Sequence, residues 1–126
     1  MFSFAFAANA EDIGIWNNIT TLSGGAKFLV APSKIRIDKA AATIKILMLI
    51  NEPTTRKAGK VEFRSWIINY TADCKKEVGV LDKVEWWTGE FGEGKMVRTE
   101  GPSTETLSAQ RPQGAVALAL CHENFK

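Results

Sequence analysis

Apolar and polar positions alternate along this chain in short runs, broken by glycine, proline and polar stretches. A two-residue period marks strands with one face turned to a core. Ile13, Ile15 and Asn17 alternate with Gly14, Trp16 and Asn18, which predicts a first strand, and Ser23-Gly24-Gly25 predicts a turn. Lys27 to Val30 reads as a short strand stopped by Pro32, and Lys34 to Asp38 sets Ile35 and Ile37 against Lys34 and Arg36. Thr43 to Ile50 is the most apolar segment and the expected central strand. Asn51 to Lys60, with Pro53, Gly59, two threonines and three basic residues, reads as a mobile polar hairpin loop or a longer excursion.

Val61 to Tyr70 follows as a long strand with Val61, Phe63, Ser65 and Ile67 on one side. Its other side carries Trp66, Ile68 and Tyr70, so a helix, a loop or a second subunit is expected to cover it. Val78 to Trp87 is the next strand, with Val80, Asp82, Val84 and Trp86 opposed to Leu81, Lys83, Glu85 and Trp87. Gly89, Gly92 and Gly94 mark a turn before a last strand, Lys95 to Glu100, and Gly101 to Gln113 is polar. Gly114 to Cys121, rich in alanine and leucine and preceded by Pro112, predicts a short helix with Val116, Ala119 and Leu120 on one face. The fold class is therefore α+β: mainly an antiparallel β-sheet with a C-terminal α-helix.

Composition narrows the picture. At 126 residues, 45% hydrophobic and 24% charged, the chain has the make-up of one ordinary globular domain. Residues 1–10 read as the truncated remnant of a signal peptide, an uncharged apolar run closing on the small-x-small triplet Ala8-Asn9-Ala10, and 11–126 as a single domain. The rival reading of that start is a hydrophobic strand. No later apolar run is long enough to cross a bilayer as a helix. A net charge of +2, with basic residues spread between acidic ones, lacks the one-sided excess of a nucleic-acid binder. It leaves room for weak attraction to acidic partners such as sulfated glycans or acidic protein surfaces.

The two cysteines, Cys74 and Cys121, are expected to be joined if the chain is exported. Such a bond closes a loop worth roughly 4 kcal/mol at most and pins the helix to the sheet. In a cytosolic chain the same pair would be two buried thiols. A metal site is disfavoured, since His122 is the only histidine and zinc-like ligand spacing is missing. No cofactor motif appears either: Gly89 to Gly94 lacks the ending and following helix of a phosphate loop. His122 has no recognisable nucleophile and suits a helix C-terminus, and the carboxylates Asp38, Asp73, Asp82 and Glu85 show no pairing pattern, so an enzyme is not expected. Adjacent Trp86 and Trp87 face opposite sides of a strand: one or both fill the core, or one anchors a partner protein or sugar. Asn18-Ile19-Thr20 and Asn69-Tyr70-Thr71 match the glycosylation sequon, which matters only in a eukaryotic secretory route. Candidate partner contacts are the basic loop residues Arg56, Lys57 and Lys60 and the aromatics Trp66, Tyr70, Trp86 and Trp87.

The order of these features resembles the surface-adhesin E family of Gram-negative bacteria. The resemblance is carried by Trp16, the Phe28 to Ile37 stretch with Ser33-Lys34-Ile35, Thr43 to Ile50 and the strand entering Asp73-Cys74. It continues through Gly92-Glu93-Gly94-Lys95-Met96-Val97 and the Pro112 to Cys121 end. Departures are Ala72-Asp73-Cys74 where the family has Tyr-Asp-Cys, and Leu47 and Met48 where it has a tryptophan or similar group. The resemblance implies a sheet of about six strands and a helix tethered by the Cys74–Cys121 disulfide. It also implies placement in the periplasm or at the cell surface, and non-enzymatic binding to host extracellular-matrix or plasma proteins of the laminin and vitronectin class. Alternatives are a periplasmic structural or assembly protein acting as a homodimer, or a small-ligand carrier.

Overall fold

Among the described residues, eight strands precede one α-helix: β1 (Asn17–Thr21), β2 (Lys27–Val30), β3 (Arg36–Asp38), β4 (Thr43–Ala58), β5 (Val61–Asp73), β6 (Val78–Trp87), β7 (Met96–Glu100), β8 (Ser103–Thr106) and α1 (Pro112–Asn124). The computed structural model describes residues 14–125, so residues 1–10, expected to be a leader remnant, lie outside the described residues. All strand pairs are antiparallel, in the order β1-β2-β4-β5-β6-β7, with β3 also on β4 and β8 also on β6. β2 and β3 share one column beside β4, and β7 and β8 share one beside β6, so the strands stand in six columns.

Four local expectations change. The first strand lies later than Ile13 to Asn18, because pairing with β2 starts at Asn17 and Val30. In the second stretch, Pro32–Lys34 forms a 3-10 turn and only Arg36–Asp38 is strand. Asn51 to Lys60 is mostly strand rather than loop. After an irregularity between Asn51 and Arg56, β4 pairs again through Arg56–Phe63, Lys57–Glu62 and Ala58–Val61, and Gly59 turns the chain at φ +65°. Polar side chains there keep their solvation on a protruding ribbon while the backbone completes its ladder. Finally, polar Ser103 to Thr106 forms β8 against Val78 to Leu81. Gly101 lets the chain step between β7 and β8: its φ is +124°, and a Cβ there would sit 2.7 Å from the Asp82 carbonyl oxygen.

The sheet buries both faces unequally. On one face Phe28, Val30, Ile44, Ile46, Met48, Ile50, Ile68, Tyr70 and Ala72 meet Val116, Ala117, Leu120 and Cys121 of the helix. On the other, Trp16, Leu29, Ala31 and Leu49 form a smaller cluster with Leu47, Ile67 and Phe91. A bulge beside Asp82 breaks the two-residue period of β6: Leu81 pairs with Tyr70 and Val84 with Ile68, so Leu81 joins the helix face instead of lying opposite Val84.

The helix crosses the strands. Near its start, Arg111 and Gln113 bond to Glu105, which pairs with Gly79, while at its end the Asn124 carbonyl accepts from Lys39. Cys121 is bonded to Cys74, with their Cα atoms 5.5 Å apart. That disulfide ties helix to sheet just past β5. Beneath α1, Gly79 is needed for space, because a Cβ would overlap the hydroxyl of Tyr70.

Candidate functional site

Val116, Ala117, Leu120 and Cys121 of the helix share a cluster with Ile44 and Ala72, cross-strand partners, and Cys121 is tied to Cys74 just beyond them. Trp66 is six residues along β5 from Ala72, about 20 Å away at strand spacing, beyond the reach of a helix about 10 Å wide. The far end of this face is therefore left to side chains of the sheet itself. Cross-strand register aligns Ile50, Trp66, Trp86 and Arg98 on β4, β5, β6 and β7. Directly opposed residues share a face, so the four form one row.

Within that row the two indoles stack, with ring centroids 6.1 Å apart and planes 10° from parallel. Arg98 places its guanidinium 5.1 Å from the Trp86 ring centre, a cation–π contact, and also pairs with Glu100. On the other flank, the Trp66 indole N–H donates to Glu52 at 3.2 Å and Arg56 pairs with the second oxygen of that carboxylate, also at 3.2 Å. Glu52 is buried, and these two donors compensate its desolvation. Phe63 meets Trp66 edge-on at 6.4 Å. The result is a continuous ladder, Arg56–Glu52–Trp66–Trp86–Arg98, whose tryptophans are partly exposed and whose arginines are exposed.

The other sequence-derived candidates separate from this ladder. Lys57 and Lys60 are exposed on the β4–β5 hairpin, which carries Arg56 toward the ladder. Trp87 faces the opposite side of β6, with its indole nitrogen buried and unbonded. Tyr70 is not an outward contact. It is 1% exposed, covered by Leu107 and the helix, and its hydroxyl donates to Glu105 at 2.9 Å. Burial first, and then the Glu105 carboxylate, push its ionisation far above the usual tyrosine range. Glu52 and Arg98 escaped sequence reading. Arg98 follows Trp86 only through the register of β6 on β7, which carries its own irregularity between Trp86 and Trp87.

The turn between β6 and β7 is clamped to the smaller core. Buried Ser65 donates to the Gly89 carbonyl at 2.6 Å and accepts from the Gly92 N–H at 2.8 Å, while Asn51 accepts from the Phe91 N–H at 2.8 Å. These bonds hold Phe91 at φ 55°, a left-handed conformation that is costly for a bulky residue. Its ring thereby packs against the smaller core cluster. The ladder is thus mounted on strands whose connecting turn is fixed. Among the described residues no group of three or more His, Cys, Asp or Glu side chains is placed to hold a metal ion. No described helix is long and apolar enough to cross a membrane.

The family model described as surface-adhesin protein E matches residues 16–122 of the chain. Solved structures of Haemophilus influenzae protein E are similar in fold. Its crystal form II has a TM-score of 0.69 at 12% identity, covering 98% of this chain and 100% of that one. A second structure of the same protein has a TM-score of 0.67 at 10% identity, covering 94% of this chain and 92% of that one. A structure from a non-typeable strain also reaches 0.67 at 10% identity, with 93% and 82% covered. No curated protein matches the chain in sequence.

Proposed function

The chain belongs to the surface-adhesin protein E family, and from that premise we propose that it is an exported, non-enzymatic binding module of the bacterial envelope that engages host matrix or plasma proteins. The observation that carries this reading is the Trp66–Trp86 stack with Arg98 over one end and Glu52–Arg56 at the other. Tryptophan and arginine dominate binding hot spots because they bury large area and bond polar groups at once. Here cross-strand stacking and the Glu52 carboxylate hold them before a partner arrives, which lowers the ordering cost of association. The matching partner surface is an apolar or aromatic patch with an acidic rim, because the exposed ends of the ladder are guanidinium groups.

Immobilised laminin and vitronectin test the reading, with the purified mature protein in solution. Trp86→Ala and Arg98→Glu are each expected to weaken binding by about tenfold or more. Lys57→Glu with Lys60→Glu should weaken it less, through the salt-sensitive attraction of the hairpin. Binding by Arg98→Glu equal to that of the unaltered protein would remove the ladder from the account. A stable dimer in light scattering, with Trp86 protected from quenching, would instead place the stack inside a homodimer.

A further inference from the structure

On the face of the sheet opposite the helix, beyond the small cluster around Leu49, lies an open depression of about 490 Å³. Leu47 and Asn69 line it from the sheet, and Lys34, Arg36, Lys45 and Lys83 surround them. These four cations are remote in sequence. The 3-10 turn, β3, β4 and β6 bring them together.

Lys83 is paired with Glu85, and among the described residues the other three cations stand without an ion pair. Arg36 and Lys45 are direct cross-strand partners, an arrangement of like charges that destabilises a sheet. Among the described residues none of Lys34, Arg36 and Lys45 has a carboxylate within ion-pair distance. One carboxylate, Asp82, also lines the depression, against four cations. Asp82 accepts from the Thr71 hydroxyl at 2.5 Å, Glu85 takes Lys83 at 3.0 Å, and Asp38 accepts from the Ala41 N–H at 3.0 Å. Arg36 is also pre-positioned, with one guanidinium nitrogen donating to the Ser33 and Ile35 carbonyls at 2.9 and 3.0 Å. The chain as a whole carries 16 basic and 14 acidic residues, so a local excess of this kind is a feature of the depression and not of the composition.

We propose that this depression is a binding site for a sulfated glycan. The cations sit on several columns of the sheet, Lys45 and Lys83 standing on either side of β5 opposite Thr71 and Asn69, about 12 Å apart on the diagonal at ordinary strand spacing. Spread cations match an extended chain bearing repeated sulfates better than one small anion. Asn69 offers an amide to sugar hydroxyls. Nucleic acid fits less well, because the one aromatic residue of the lining, Tyr70, is buried with its hydroxyl on Glu105, which leaves bases no platform for stacking. The site is independent of the tryptophan ladder, which lies on the other face.

Calorimetry with a heparin-derived octasaccharide, its desulfated form and a single-stranded oligonucleotide of equal charge tests the proposal. The octasaccharide is expected to bind the unaltered protein, with affinity falling as salt is raised. The desulfated form should not bind. Lys45→Gln with Lys83→Gln should weaken binding at least about tenfold, since two charge-assisted bonds are lost. Lys57→Gln with Lys60→Gln should leave it within about twofold. Lys45→Gln alone should also raise the melting temperature, because it removes the repulsion with Arg36, and this separates lost binding from lost folding. Equal losses from the hairpin pair, an oligonucleotide bound as tightly as the octasaccharide, or no octasaccharide binding at all would each overturn the proposal. Trp86→Ala and Arg98→Glu should leave octasaccharide affinity unchanged, so the two sites fail or stand separately.

Discussion

Single residues here are decided by which side of the sheet the register gives them, and Tyr70 is the plainest case. Its ring fills the space that Gly79 leaves empty, and its hydroxyl reaches a carboxylate that Arg111 and Gln113 also hold. The Glu105 carboxylate, through these three bonds, thus couples β5, β8 and the start of the helix. Tyr70→Phe should cost about 1.5–3 kcal/mol in urea unfolding, the usual worth of a hydrogen bond to a charged acceptor. The tyrosine also makes stability depend on alkaline pH. Its folded pKa is raised above the ordinary value of 10, so its contribution is complete below pH 10. As pH rises past 10 the unfolded chain loses the phenol proton and the folded chain keeps it. Stability then falls, by up to about 1.4 kcal/mol per pH unit from this group. Tyr70→Phe should flatten that part of the decline, and an identical slope in both proteins between pH 10 and 11 would contradict the assignment.

At the scale of elements, the helix and the central strands were legible because their signals are local. Pro112 opens α1, Val116 and Leu120 share its buried face, and the apolar run Ile44 to Ile50 dictates a central strand. The polar half of β4 was not legible, since threonine, arginine and lysine on a protruding ribbon look like a loop until Val61 to Phe63 supply its ladder. β8 was hidden for the same reason, and the Asp82 bulge moved Leu81 to the other face against strict alternation. The stacking of Trp66 on Trp86 needed a register fixed by that bulge, which no count along one strand reveals. What sequence did carry was the tie between α1 and β5. With Cys74 and Cys121 separated by 47 in sequence, loop entropy gives about 4 kcal/mol as an upper estimate. Cys74→Ser with Cys121→Ser should therefore lower the melting temperature by on the order of 10 °C. It should also lower amide protection first in α1, because a helix of this length is not stable by itself. Unchanged exchange in α1 would mean that packing and the Lys39–Asn124 bond hold it without the disulfide.

For the whole molecule, the consequence of a sheet only partly covered on each side is two uncovered areas of different chemistry, back to back. The helix takes one end of its face and leaves the tryptophan ladder; Phe91 and Trp16 take one end of the other face and leave the cationic depression. Their side chains project in opposite directions from shared strands, so a protein partner at one and a glycan at the other do not compete for space. Lys45 and Trp66 lie on neighbouring strands, yet neither touches the other's partners, and well-separated sites add in free energy to within about 0.5 kcal/mol. Arg98→Glu and Lys45→Gln combined should therefore lower adhesion to a surface presenting both protein and sulfated glycan by the product of their separate effects. A product is expected only if the two contacts act together on one molecule, since two populations bound through different sites would lose only their own share. Adhesion of the double variant to mixed and single-component surfaces, compared at equal salt, measures that difference. An effect of the double variant no larger than the stronger single one would mean that only one face is used.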